Sequence, residues 1–126
     1  SHNNRINGII DRYLVHSHIP IFANGGKDAY YIGSSDWMPR NLNNRIEVLA
    51  PVNDSDIRHE LKRIVEYGLR DTFQGRTVDG SGRNLPWTVP EGTEGIRSQD
   101  ALYDYYREQA AQRPAPRRRR LFGNRQ

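Results

Sequence analysis

The chain has 126 residues, a mean hydropathy of −0.90 and a net charge of +4 at pH 7, values that fit one modest domain with a small core and long irregular stretches. It holds no cysteine, which excludes a disulfide framework and thiolate chemistry. No apolar run approaches the ~20 residues of a membrane span and no signal peptide is visible, so a cytoplasmic protein without a membrane span is expected. The charge is unevenly placed: residues 113–126 carry six arginines and no acid, which leaves residues 1–112 at −2.

In chain order, Ile6, Ile9, Ile10, Tyr13 and Leu14 recur at the spacing of one helix face and predict an opening helix. A periodic segment met at once, with no starting Met, reads as a piece of something longer. After Val15 the period changes. Ile19, Ile21 and Phe22 read as a strand, residues 24–28 (Asn-Gly-Gly-Lys-Asp) as a turn, and residues 29–32 (Ala-Tyr-Tyr-Ile) as the returning strand. Residues 45–50 alternate into a third strand that Pro51 is expected to stop. Asp54, Ser55 and Asp56 offer cap oxygens and negative charge to a helix start. Ile57, Leu61, Ile64, Val65 and Leu69 give that helix a core-facing stripe, and His59 reads as solvent-facing. Residues 74–97 are rich in Gly and Pro and read as a long ordered loop. Ser98 is expected to cap a last helix with Leu102, Tyr105 and Tyr106 on one side. From Arg113 the Pro-, Ala- and Arg-rich composition reads as a basic disordered tail. The order α, β, β, β, α, loop, α is an α/β fold, with the domain over residues 3–112, the tail over 113–126 and no internal repeat.

The chemistry concentrates in residues 16–41, "HSHIPIFANGGKDAYYIGSSDWMPRN". On a strand over residues 16–22, His16 and His18 face the same side, because side chains alternate. Three readings compete. The pair is a surface or hydrogen-bonded couple; or it ligates a metal, for which no third His or Cys is placed; or an imidazole serves phosphoryl chemistry as nucleophile or general acid. The run Gly33, Ser34, Ser35, Asp36 shifts the balance to the last. Small residues at a strand end let backbone N–H groups approach an anion. Asp36 can fix an imidazole tautomer, and Arg40 is a forked donor suited to phosphate. Trp37 and Met38 read as packing residues, and Pro39 as shaping the loop.

The blocks "RYLVHSHIPIFANGG", "YYIGSSDWMPRNL" and "RIEVLAP", in this order and spacing, resemble the C-terminal, second phospholipase D-like catalytic domain of the bacterial polyphosphate kinases. The resemblance runs from about Ile6 to about Glu108, takes in "QDALYDYY" and leaves out the Arg-rich tail. It implies a phospholipase D-like half-domain, a mixed sheet flanked by helices. It implies a part of an enzyme that reversibly transfers the ATP γ-phosphate to inorganic polyphosphate through a phosphohistidine located outside this chain. His16 matches the second-motif histidine and would be catalytic, as an acid or an electrostatic stabiliser. His16, His18, Ser34, Asp36 and Arg40 would bind ATP or phosphate. His18 stands where the family pattern has Arg and phospholipase D has Lys; Asp36 stands where phospholipase D has Asn; Val15 stands where the family has Glu. Mg²⁺ would come with the nucleotide, its ligands upstream of this chain, so no metal ligand is expected here. The implied partners are ATP, ADP and polyphosphate, with a homo-oligomeric parent, no nucleic acid, and an inactive isolated chain.

Two rivals come from other classes. A phospholipase D-like phosphodiesterase would use an intact H-x-K motif, and the Lys is absent. A non-catalytic module could grip polyanions through Arg117–Arg120; such binding is strongly salt-dependent whatever the fold, so the tail does not discriminate.

Overall fold

A computed structural model of the chain describes residues 5–34, 36 and 38–112. The basic tail expected over 113–126 lies outside the described residues, as do Ser35 and Trp37. The elements run β1 (Asn7–Ile9), β2 (Ile21–Phe22), β3 (Ala29–Gly33), α1 (Pro39–Asn44), β4 (Leu49–Val52), α2 (Ser55–Leu69), β5 (Gly75–Thr77) and α3 (Ser98–Gln112). This is the expected α/β class. The strands lie in two antiparallel sheets, β2-β3-β4 and β1-β5, with one parallel bridge between Asp71 and Ile96.

The hairpin of β2 and β3 forms where the turn chemistry put it. Gly25 and Gly26 take φ of 56° and 88°, values that glycine adopts without a Cβ penalty, and the Lys27 N–H donates to the Asn24 carbonyl at 3.0 Å. The formal strand β2 is shorter than the residues 16–22 expected. Pro20 has no N–H to give the ladder, yet its carbonyl accepts from Tyr31 N at 3.0 Å, and the His18 carbonyl accepts from Gly33 N at 3.3 Å. The histidine segment is therefore tied to β3 outside the regular ladder.

Three local expectations are corrected. Residues 6–14 do not form a helix. Asn7, Gly8 and Ile9 pair with Thr77, Arg76 and Gly75, and Val78 N donates to the Ile6 carbonyl at 2.9 Å. Gly8 costs a helix about 1 kcal/mol against Ala, and a distant strand offers its backbone an alternative. The third strand begins at Leu49 and contains Pro51, which sits opposite Tyr31. An edge strand tolerates a proline because one of its sides needs no donors, and β4 is such an edge. Ser98 is the first residue of α3 and not its cap. Its N–H and hydroxyl both donate to Asp71 Oδ2, at 2.9 and 2.6 Å, so Asp71 supplies the cap from 27 residues away.

Helix α2 begins as expected: Asp54 Oδ1 accepts from Asp56 N and Ile57 N at 2.9 and 3.0 Å. Its stripe is half-buried in the middle, at Leu61, Ile64 and Val65, and exposed at Ile57 and Leu69. Against it α3 packs through Tyr105, whose ring meets Tyr67 edge-on at 6.5 Å and lies under Arg63 at 4.4 Å. The Tyr105 hydroxyl donates to Glu60 at 3.0 Å. The segment 74–97, expected as a loop throughout, contains strand β5, which forms because β1 pairs with it; the rest is ordered around Trp87, which is buried; its indole N–H donates to the Leu69 carbonyl at 2.7 Å and Arg5 covers its face at 4.2 Å. Tyr30 and Val52 form the other buried apolar contact, across the three-stranded sheet. Among the described residues no helix is long and apolar enough to cross a membrane.

Candidate functional site

The Gly33 end of β3 gathers the chemistry. There β3 and β4 approach so closely that a Cβ on Gly33 would stand 2.4 Å from the Val48 carbonyl oxygen and 2.5 Å from Leu49 Cδ2. Only glycine fits this approach. The chain then turns outward through Ser34, whose N–H donates to the Val48 carbonyl at 3.4 Å, and reaches Asp36. The histidine segment runs along the other side of β3, held by the bond from Gly33 N to the His18 carbonyl.

This arrangement brings three of the five expected site residues together. His16 Nε2 lies 3.4 Å from Asp36 Oδ1, and His18 Nε2 lies 3.5 Å from the same oxygen. The two imidazole rings sit 4.8 Å apart, tilted by 37°. Their exposures differ: the His16 side chain is 63% exposed, His18 18% and Asp36 33%. His16 is thus the open member and His18 the sheltered one. The Asp36 carbonyl accepts from Met38 N at 2.8 Å, which fixes the turn leading into α1.

Ser34 stands at the same strand end, but its hydroxyl donates to Glu47 Oε2 at 2.6 Å. Glu47 is the residue that sequence reasoning missed, although it lies inside the "RIEVLAP" block. A short bond to a carboxylate is a strong one, so Ser34 offers a ligand its lone pairs and backbone rather than its hydroxyl proton. Arg40 lies apart. It sits in the first turn of α1, exposed, with no hydrogen-bond or ion-pair partner among the described residues.

Two cavities are lined by other residues, one of them by Val15 and Ser17 on either side of His16. One of about 670 Å³ is lined by Ile9, Ile10, Leu14, Ile64 and Leu102 among others. The other, of about 620 Å³, is lined by Lys27, Arg58, His59 and Lys62 beside the hairpin turn. His59 is exposed, as expected, and its Nδ1 lies 2.8 Å from the Ser55 carbonyl.

The His16, His18, Asp36 group is therefore one open wall. It presents an accessible imidazole whose ring nitrogen faces a carboxylate, the arrangement that orients a histidine for proton transfer. Its donor set does not fit Mg²⁺, which takes oxygen ligands in a near-octahedral shell.

The family model described as polyphosphate kinase C-terminal domain 2 matches residues 1–99. The polyphosphate kinase of Klebsiella pneumoniae is 42% identical over 106 residues, which are 83% of this chain and 15% of that protein. The polyphosphate kinase of Escherichia coli K12 is 40% identical over the same shares of both chains. The crystal structure of polyphosphate kinase from Porphyromonas gingivalis superposes with a TM-score of 0.78 at 39% identity, over 87% of this chain and 17% of that one. The chain thus spans a small part of the length of the relatives it matches.

Proposed function

This chain belongs to the polyphosphate kinase family, and from that premise we propose that it forms part of the active site of an ATP:polyphosphate phosphotransferase, with His16 acting on the phosphoryl group in transit. The observation that carries the reading is the open His16 imidazole held against Asp36 at 3.4 Å. A carboxylate facing one ring nitrogen fixes the orientation of the imidazole. The ring can then give a proton or a hydrogen bond to a phosphate oxygen.

Phosphoryl transfer asks mainly for positioning and neutralisation of charge. His16 supplies a donor, His18 backs it from a sheltered position, and the backbone around Gly33 and Ser34 borders the space in front. Arg40, exposed in the first turn of α1, would offer its guanidinium to a bound nucleotide. The nucleophile that takes the phosphate from ATP is proposed to be a histidine outside these residues. Mg²⁺ would enter on the nucleotide, held by groups outside this chain. On this reading the chain alone is half a site: it meets phosphate with one wall and cannot hold a nucleophile in line with the γ-phosphate.

Labelled ATP and Mg²⁺ test the division of roles. The 126-residue chain incubated alone should acquire no acid-labile label and make no polyphosphate. The full-length enzyme should carry the label on a histidine outside the chain. Acid-labile label on the chain itself, lost in His16→Ala, would make His16 the nucleophile and overturn the assignment.

A further inference from the structure

The cavity of about 620 Å³ beside the hairpin turn is lined by Lys27 and Asp28 from the turn and by Ser55, Arg58, His59 and Lys62 from α2. The α2 positions recur at i, i+3, i+4 and i+7, so they form one helix face, about 10 Å long at 1.5 Å per residue. Lys27, Arg58 and Lys62 set three positive charges against the single negative charge of Asp28, on a body whose residues 1–112 carry −2. We propose that this groove is a second phosphate-binding place, which holds the inorganic polyphosphate chain at a distance from the reacting phosphate. The identity of the ligand rests on the kinase reading.

The state of each charged group selects the ligand. Arg58 is held: its Nε donates to the Val52 carbonyl at 2.7 Å and its Nη2 to Asn53 Oδ1 at 3.4 Å. It therefore presents a fixed charge and not the open two-nitrogen fork that grips a carboxylate. The Lys27 side chain has no hydrogen-bond or ion-pair partner among the described residues. Lys62 meets Glu66 at 3.8 Å, with both side chains more than half exposed, a contact that solvent weakens. Both ammonium groups are point charges on flexible stems and can turn to meet phosphate oxygens. No tyrosine, phenylalanine or tryptophan face in the lining is open to stack a nucleic-acid base: Tyr30 is buried, with Arg58 5.8 Å above its ring. The first N–H groups of α2 add nothing, because Asp54 already takes Asp56 N and Ile57 N. The groove rests on side chains.

Its position fits a polymer. Ala29 and Tyr30, at the start of β3, line the groove, and the His16, His18, Asp36 group lies at the Gly33 end of the same strand. Four residues of strand separate the two, about 13 Å at 3.3 Å per residue. A substrate long enough to touch both places gains from the second contact, which a single phosphate cannot.

The experiment titrates the 126-residue chain with tripolyphosphate, without nucleotide, and follows its NMR signals. Those of Lys27, Arg58 and Lys62 should shift together. The double variant Lys27→Gln, Lys62→Gln should bind about tenfold more weakly, the combined effect of two exposed charge contacts; both lysines are exposed, so its fold should hold. His16→Ala should leave the shifts at Lys27 and Lys62 in place, as should Arg117→Gln, Arg118→Gln, Arg119→Gln and Arg120→Gln together. A single-stranded oligothymidylate of equal charge should compete poorly. Failure of the kinase reading would show elsewhere, in polyphosphate synthesis by the full-length His16→Ala enzyme. Shifts confined to residues 16–18 and 33–36 or to the tail, an unchanged affinity in the double variant, or equal competition by the oligothymidylate would overturn the proposal.

Discussion

Asp71→Ala should be the most damaging single change in the body of the chain. Asp71 is the one large side chain among the described residues that is fully buried. Its Oδ1 accepts from Phe73 N and Gln74 N at 3.1 and 2.8 Å. Its Oδ2 accepts from Ser98 N and the Ser98 hydroxyl at 2.9 and 2.6 Å. One carboxylate thus joins the end of α2, the approach to β5 and the first turn of α3. Burial pushes its pKa up, but hydrogen bonds from the Ser98 hydroxyl and from the backbone at Gln74, Ser98 and Gly75 outweigh burial and hold it below the ordinary carboxylate value. Hydrogen bonds to a charged group contribute roughly 1.5–3 kcal/mol each. Phe73 N and Gln74 N are part-buried and can turn to water; the two Ser98 donors are buried and cannot. Losing that buried pair sets the cost at about 3–6 kcal/mol, a large share of the 5–15 kcal/mol typical of a whole domain. Urea unfolding followed by far-UV circular dichroism measures it. The pH dependence has a definite sign. A carboxylate whose pKa is lowered by folding contributes stability that is complete above the unfolded value near 4 and is lost as pH falls through the folded value. The wild type should therefore weaken below pH 4, and Asp71→Asn should lack that part of the loss. A cost under about 1 kcal/mol for Asp71→Ala, the size of an ordinary substitution, would refute the reasoning.

Gly33→Ala should destabilise the three-stranded sheet by about 1–3 kcal/mol, because its Cβ overlaps the Val48 carbonyl and Leu49 and the backbone has to part; a fall in melting temperature and shifts of the His18 and Ser34 amide signals would be seen together. Asp54→Ala should cost about 1 kcal/mol by leaving Asp56 N and Ile57 N without their cap, read in the same urea titration, with no change at His16.

What the sequence made legible was local. The Gly25–Gly26 turn and the Asp54 cap are settled by residues a few positions apart, so their chemistry is visible in a short window. The segment at 6–14 shows the reverse. Its isoleucines keep a helical period, yet Ile6, Asn7 and Ile9 take partners around residues 75–78, and no local pattern records that pairing. The same holds for α3, where Ser98 has cap chemistry but gives its hydroxyl to Asp71. At the candidate site, alternation placed His16 and His18 on one side and Asp36 was expected to face an imidazole; the structure brings the three together. Glu47 escaped notice because its role depends on β4 returning beside Ser34, a contact across 13 residues.

The central claim is that His16 acts on the phosphate, and the most direct measurement is polyphosphate synthesis by the full-length enzyme carrying His16→Ala. A positioned acid–base group is worth about 10²–10⁴ in turnover, so synthesis should fall by that factor. The melting temperature should stay at the wild-type value, since a side chain 63% exposed adds little packing. Synthesis at a near-wild-type rate by a folded His16→Ala enzyme would contradict the account.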